Sequence, residues 1–425
     1  MKSVSRVILL LAAAAFLTAL TSSCDRPETS RTGFSPVATD TMRMAALRQA
    51  AIQGGLRRAA ALEIPTDPER VAVGRLIFES RAMSINGEIS CRDCHLDKFG
   101  SADGLPNAIG VGGEGEGRER MESDGRILPR NALPFWGRGG KGFDTFFWDG
   151  KVQKKDDVVA SQYGEHSPSD DPLVVAVHLP SVELREMVED TIEIRETVVS
   201  EDVGAANTIQ SELAKRFASD TDIGPLLGSA YDRDASKISF AEIADALAQF
   251  IRHEFRLRPT RLERFVFDRG PITEAELAGG VLFYGRGRCV SCHNGPYFSD
   301  LDFHAVAFPQ AGFGKNGFGI DEGRYNVTLD PRDRFLFRTA PLHNVTQTAP
   351  YSHSGSITSL KDAIIAHFDP LRLVDTNSMD VRQRSDLYAR LGPAALEPLP
   401  TALRDEEVDQ LVAFLAMLEF SSDGN

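Results

Sequence analysis

Two short stretches, Cys91-Arg92-Asp93-Cys94-His95 and Cys289-Val290-Ser291-Cys292-His293, decide how this 425-residue chain is read. Thiols three residues apart lie on one face of a helical turn. Both can therefore bond to one planar group, and the imidazole that follows is carried beneath its centre. This is the spacing of c-type haem attachment, in which the thiols add to the vinyl groups and the histidine becomes the proximal iron ligand. Structural zinc also uses Cys-x-x-Cys pairs. Here a histidine follows at once in both copies, and an export signal leads to where such haem is attached. Cys91, Cys94, Cys289 and Cys292 are read as haem-binding, His95 and His293 as iron ligands, and the cofactors as two covalent c-type haems. The fifth cysteine is Cys24, so none remains for a disulfide.

The flanks of the two motifs repeat one plan. Thr66-Asp67-Pro68-Glu69 opens a helix with a capping box and a proline in its first turn. That helix, 69–80, points Val71, Leu76 and Phe78 to a core. Thr273-Glu274-Ala275-Glu276 caps a second helix, 273–284, which ends just before the second motif. Residues 40–62, 181–218, 239–256 and 359–368 also read as helix. So does 405–418, with Val408, Leu411, Val412, Phe414 and Leu415 facing inward. Residues 100–142 are glycine-rich and loop-like, and strand signals are sparse. The reading is mainly α, with two cytochrome-c-like domains, each wrapped around one haem. The N-terminal haem domain spans 65–257, the C-terminal one 258–425, and 25–64 form a tether and an N-terminal helix.

Residues 1–24 read as an export signal. Lys2 and Arg6 precede an apolar run of 14 residues, Val7 to Leu20, which is short for a bilayer span. Thr21-Ser22-Ser23-Cys24 resembles a lipoprotein cleavage box in which Cys24 is acylated, although Leu20 sits one place too early. Ordinary signal cleavage is the alternative. Either way the protein is expected in the periplasm, and the lipoprotein reading anchors it to a membrane. The formal charge of −14 speaks against nucleic acid as a partner. Monomer and homodimer both remain open.

Around the two motifs, in order, stand Val73-Gly74-Arg75-Leu76-Ile77-Phe78, Arg130-Asn131-Ala132, Phe147-Trp148-Asp149-Gly150, Phe337-Arg338-Thr339-Ala340-Pro341-Leu342 and Thr348-Ala349-Pro350-Tyr351-Ser352-His353. Together they resemble the bacterial di-haem cytochrome c peroxidase and MauG superfamily over residues 65–420. The resemblance implies that the N-terminal haem reacts with hydrogen peroxide and the C-terminal haem relays electrons. It implies an acid/base carboxylate at Glu186, with Glu183 as the alternative, because an insertion after Trp148 shifts the segment. A carboxylate there moves a proton between the peroxide oxygens and polarises their bond. It makes Trp148 the relay between the haems. It also places a calcium ion between the domains on Asn131, Thr339 and Pro341, whose amide and carbonyl oxygens are hard ligands.

The chain departs from that pattern twice. Relatives that need reductive activation carry a distal histidine where Val111 stands in Ile109-Gly110-Val111-Gly112-Gly113. Valine cannot bind iron, so the first haem is expected open unless His166 or His178 folds over it. At the second haem, the position of the usual Met or Tyr ligand falls on His367. Two histidine ligands imply a lower potential than His/Met. The expected activity is a haem peroxidase. Its electrons come from a small cytochrome or cupredoxin, or from a Trp or Tyr of a partner protein in a MauG-like oxidation. The alternative is a di-haem electron carrier without peroxide turnover.

Overall fold

The computed structural model describes residues 36–164, 166–189, 191, 203–315, 317, 319–397 and 401–420. The signal sequence, Cys24 and most of the tether lie outside these residues. The N-terminal half carries α1 (Pro36–Gln53), α2 (Pro68–Glu79), α3 (Pro172–His178), α4 (Val203–Ser219), α5 (Ile223–Ala230) and α6 (Phe240–Glu254). The C-terminal half carries α7 (Arg261–Asp268), α8 (Glu274–Tyr284), α9 (Leu360–Ala366), α10 (Val381–Ala394) and α11 (Asp405–Ala416). Strands are few. A small antiparallel sheet orders β1 (Thr145–Phe146), β2 (Val152–Lys155) and β3 (Val158–Ala160), and β4 (Phe303–His304) pairs antiparallel with β5 (Phe337–Arg338).

Two large hydrophobic cores and two small clusters lie among the described residues of 42–425. One core gathers side chains from Ala59 to Leu257 with Tyr297 and Leu301. The other gathers Leu262 to Leu418 together with Leu47, Ala51 and Leu56 from α1 and the turn after it. Each core is built on the same helix crossing. α2 lies against α6, and Gly74 makes the approach possible: a Cβ there would stand 2.0 Å from the carbonyl oxygen of Ala246. One turn further on, Phe78 packs on Phe250 with ring centroids 5.1 Å apart. α8 lies against α11 in the same way. A Cβ on Gly279 would stand 1.9 Å from the carbonyl oxygen of Gln410, and Phe283 packs on Phe414, again at 5.1 Å. Gly279→Val should therefore force the two helices apart and cost about 1–3 kcal/mol or more, read as a lowered thermal midpoint by circular dichroism.

Capping residues fix where these helices begin. Thr273 and Glu276 form the expected box at α8, and Ser239 and Glu242 form another at α6. At α2 the cap is Asp67, not Thr66. Its carboxylate accepts from the N–H groups of Glu69 and Arg70, and Pro68 takes the first turn. α2 buries Val73, Gly74, Ile77 and Phe78 and leaves Leu76 exposed, which corrects the expected inward face. α11 buries Val408, Leu411, Phe414 and Leu415 as expected, with Val412 at the margin. The first expected helix, 40–62, is interrupted. α1 ends at Gln53, and the chain resumes as a 3-10 turn at Ala59–Leu62.

The expected helix 181–218 is the largest difference. Residues 203–219 are helical, but 183–189 fold as a tight loop. Leu184 bridges Val188, the N–H groups of Met187 and Val188 both donate to Glu183 O, and Arg185 sits in the left-handed region at φ +68°. A helix cannot pass through that residue. The loop turns the following carboxylate into the protein.

Candidate active site

The two Cys-x-x-Cys-His motifs adopt matching local structure. Each is a single 3-10 turn, Cys91–Asp93 and Cys289–Ser291, in which the histidine N–H donates back to the first cysteine's carbonyl. His95 Nδ1 lies 2.9 Å from Ser101 O, and His293 Nδ1 lies 2.9 Å from Phe298 O. A carbonyl oxygen only accepts, so Nδ1 carries the proton in both rings and Nε2 is left as a ligand atom. Burial holds both imidazoles well below the usual histidine range, to about 3 for His95 and about 4 for His293, and so neutral. Burial also pushes the thiols of Cys91 and Cys289 up to about 12. Buried, protonated thiols beside a free imidazole nitrogen fit thioether attachment of haem.

The surroundings of the two motifs differ. At the second, His367 stands at the C-terminal end of α9. Its Nδ1 donates to Ala363 O at 2.7 Å, again leaving Nε2 free. Its ring centroid lies 6.2 Å from that of His293. Two metal–nitrogen bonds of about 2 Å each, plus the two ring radii, account for such a separation. Both rings line one large apolar cavity with Cys289 and Cys292.

Among the described residues, no imidazole packs against His95 as His367 does against His293. His178 copies the local pattern of His367, with Nδ1 on Val174 O at 2.6 Å, but its ring packs on Phe240. His166 is exposed. The His95 ring instead stacks on Phe135 at 3.8 Å. The loop carrying Val111 closes over the site. Cys94 Sγ lies 3.5 Å from Ile109 O, Val111 N donates to Arg185 O at 3.0 Å, and Val111 is buried. Gly110 is required here, since a Cβ would stand 1.7 Å from Arg185 O. Arg120 holds the loop from behind by donating to the carbonyls of Ile109, Gly110 and Gly113.

This stitching brings Glu186 to the first motif, close enough for its charge to raise both Cys91 and Cys94. Burial pushes the Glu186 carboxyl up to about 7, against the pull of Lys151. Glu183 is in a different state. Burial opposes its charge too, but the Lys151 ammonium is bonded directly to it and holds it below the usual carboxylate range. Lys151 also lies 4.4 Å from the centroid of the Phe147 ring. The Lys151 charge is thus spent on Glu183, and Glu186 is left poised near neutrality.

Trp148 stands beside the second motif. Its Nε1 donates to Asn131 O at 3.0 Å, its carbonyl accepts from Arg338 N at 2.8 Å, and it lines the cavity of His293 and His367. Asn131, Thr339 and Pro341 line the same cavity. Asn131 Nδ2 donates to Pro350 O at 2.7 Å, and its Oδ1 is buried without a partner, which suits a hard cation. The Thr339 carbonyl already accepts from Ser299 Oγ at 2.7 Å and from Arg338 Nη1 at 3.3 Å.

Several residues of this region went unread in the sequence. Arg130 pairs with Asp321 through two nitrogens, at 2.6 and 2.9 Å, and with Asp149 at 2.6 Å. Both carboxylates are fully buried, and Lys315 approaches Asp149 at 3.5 Å. Arg130 and Asp149 flank Asn131 and Trp148 in sequence, so the ion pairs clamp both ends of the indole hydrogen bond. His304 is held between Asp300 and Glu397, each at 2.9 Å.

The model for the family described as di-haem cytochrome c peroxidase matches residues 68–269. The cytochrome-c peroxidase IdrP1 of Pseudomonas sp. (strain SCT) is 23% identical over 84% of this chain and 82% of its own length. The methylamine utilization protein MauG of Methylorubrum extorquens is 25% identical over 80% and 82%. The match to the di-haem cytochrome c peroxidase family thus lies in residues 68–269, and the similar relatives include both cytochrome c peroxidases and MauG. Its similar relatives are oxidoreductases of the peroxidase type, and the family is described as di-haem. The diheme peroxidase BthA of Burkholderia thailandensis shares the fold, with a TM-score of 0.62 at 19% identity over 86% of this chain and 90% of that one. Among the described residues, no helix is long and apolar enough to cross a membrane.

Proposed function

We propose that this protein reduces hydrogen peroxide at the site of Cys91, Cys94 and His95, with electrons passing through Trp148 from the site of His293 and His367. The observation that carries the reading is Glu186, folded onto the first motif and held near neutrality while Glu183 is tied up by Lys151. When bound, the haems supply the redox centres at which peroxide is reduced. Peroxide takes up two protons and two electrons and leaves as two waters. Glu186 accepts the proton of one peroxide oxygen and hands it to the other, so the departing oxygen leaves as water. Val111 offers no ligand atom, so peroxide enters without prior reduction of the protein.

In this reading His95 and His293 are the proximal ligands and His367 closes the second site. Cys91 with Cys94 and Cys289 with Cys292 hold one haem each, one in residues 65–257 and one in 258–425. Asn131, Thr339 and Pro341 hold a calcium ion between them. The two electrons come from a small cytochrome or cupredoxin, or from a Trp or Tyr of a partner protein. His367 in place of Met or Tyr, with the open first site, favours the MauG-like route. The leader places the enzyme in the periplasm, with Cys24 as a lipid anchor.

The purified holoprotein should contain two covalent c-type haems per chain and consume peroxide when supplied with a reduced small cytochrome. Two haems with no peroxide consumption in any oxidation state would make it an electron carrier instead. His367→Ala should convert one low-spin ferric signal to high-spin in electron paramagnetic resonance and leave both haems covalently attached.

A further inference from the structure

The stretch Phe135-Trp136-Gly137-Arg138 carries two buried donors with nothing to bond. Arg138 Nη2 and Trp136 Nε1 are both shielded from solvent without a hydrogen-bond partner. Arg138 is 7% exposed, and no carboxylate pairs with it among the described residues. The charge that acts on it is another cation, Arg338, itself 2% exposed. Other buried arginines are provided for: Arg120 by three carbonyls, Arg130 by two aspartates, and Arg252 by Asp171 at 2.5 Å. A guanidinium without a counter-charge is costly to bury. An indole N–H left unpaired adds to that cost. Both costs vanish if carboxylates fill the space.

The two donors line different cavities, Trp136 that of His293 and His367 and Arg138 a second one with Leu62, Arg252 and Tyr297. Phe135 connects Arg138 to the first motif: the guanidinium lies 4.9 Å from the centroid of the Phe135 ring, and that ring stacks on His95. We propose that Arg138 receives a propionate carboxylate of the haem held by Cys91, Cys94 and His95, and that Trp136 Nε1–H donates to a propionate of the haem held by Cys289, Cys292 and His293. A guanidinium takes a carboxylate as a two-pronged partner, and an indole N–H gives it one bond. The segment 135–138 thereby touches both cofactors and sets the charge beside each. This inference rests on the two-haem reading above.

The test is a potentiometric titration of the holoprotein, with the two haems told apart by spin state, together with resonance Raman spectra of the propionate bending bands. Removing a buried cation disfavours the reduced form. Arg138→Leu should lower the potential of the N-terminal haem, leave the C-terminal one in place, and shift the propionate band of the first alone. Arg138→Lys, which keeps the charge but not the fork, should keep most of the potential and still shift the band. Trp136→Phe should shift the band of the C-terminal haem only. Two attached haems with unchanged potentials and bands in the Arg138 variants would overturn the inference while leaving the peroxidase reading intact. With potentials and bands unchanged, a rise in thermal midpoint with added phosphate, seen in the wild type and lost in Arg138→Leu, would also overturn it and assign Arg138 to a free anion. A wild-type protein without covalent haem would sink the two-haem reading itself.

Discussion

Replacing Glu186 by glutamine should slow the reaction with hydrogen peroxide by about 10²–10⁴-fold, the range for loss of a positioned acid/base. The amide keeps the size and polarity of the side chain and removes only its capacity to take and return a proton. Haem content and thermal midpoint should stay near wild type. The wild-type rate should also depend on pH in a defined direction. Burial raises this carboxyl to about 7, so the base form is scarce below that value and the rate should climb as pH rises through it. Glu186→Gln should lose this climb. Stability should run the opposite way. The folded protein retains the Glu186 proton in a pH range where the unfolded chain has released it. That contribution is therefore full below the ordinary glutamate range and fades as pH rises towards 7. Glu183→Gln should behave differently, since its carboxylate serves Lys151, and should cost stability more than it costs rate.

Arg130→Met should be the most damaging change outside the haem ligands. It strands Asp149 and Asp321, both fully buried, and removing one partner from such a group costs about 3–5 kcal/mol. Chemical denaturation of the holoprotein measures the loss. The pH dependence should change as well. Burial opposes both aspartates' charges, but Arg130 overcomes it and holds them below the usual carboxylate range. Their contribution is present above that range and lost only as pH falls through the depressed values. Without Arg130 that loss should begin at higher pH. Trp148 and Asn131 sit next to the stranded groups, so electron transfer between the haems should slow even where the variant still folds.

The sequence and the structure part company for identifiable reasons. Short-range chemistry was legible. The Cys-x-x-Cys-His turns, the Thr273 cap and the apolar face of α11 depend on neighbours within one or two turns. α3 was missed because Leu173 to Val177 is a short, β-branched run that carries no helical period. The loop at 183–189 was read as helix because its carboxylates mimic a solvated face. What bends it is a left-handed Arg185 and hydrogen bonds to the loop of Val111, more than seventy residues away in sequence. The same limit applies to Arg130, whose partner Asp321 lies 191 residues away. Glu183 and Glu186 looked alike in sequence, and only the position of Lys151 separates them. Arg138 and Trp136 had no motif around them, and their unpaired atoms appear only once the chain is folded.

The central claim is that the first haem site is open in the fully oxidised protein and served by Glu186. The most direct test mixes the as-isolated, all-ferric holoprotein with one equivalent of hydrogen peroxide and follows the Soret band by stopped-flow absorption. An immediate spectral change in the wild type, strongly slowed in Glu186→Gln, is the predicted result. No change until an electron is supplied would mean that a protein ligand caps the first iron, and would contradict the reading of Val111 and of the site built around it.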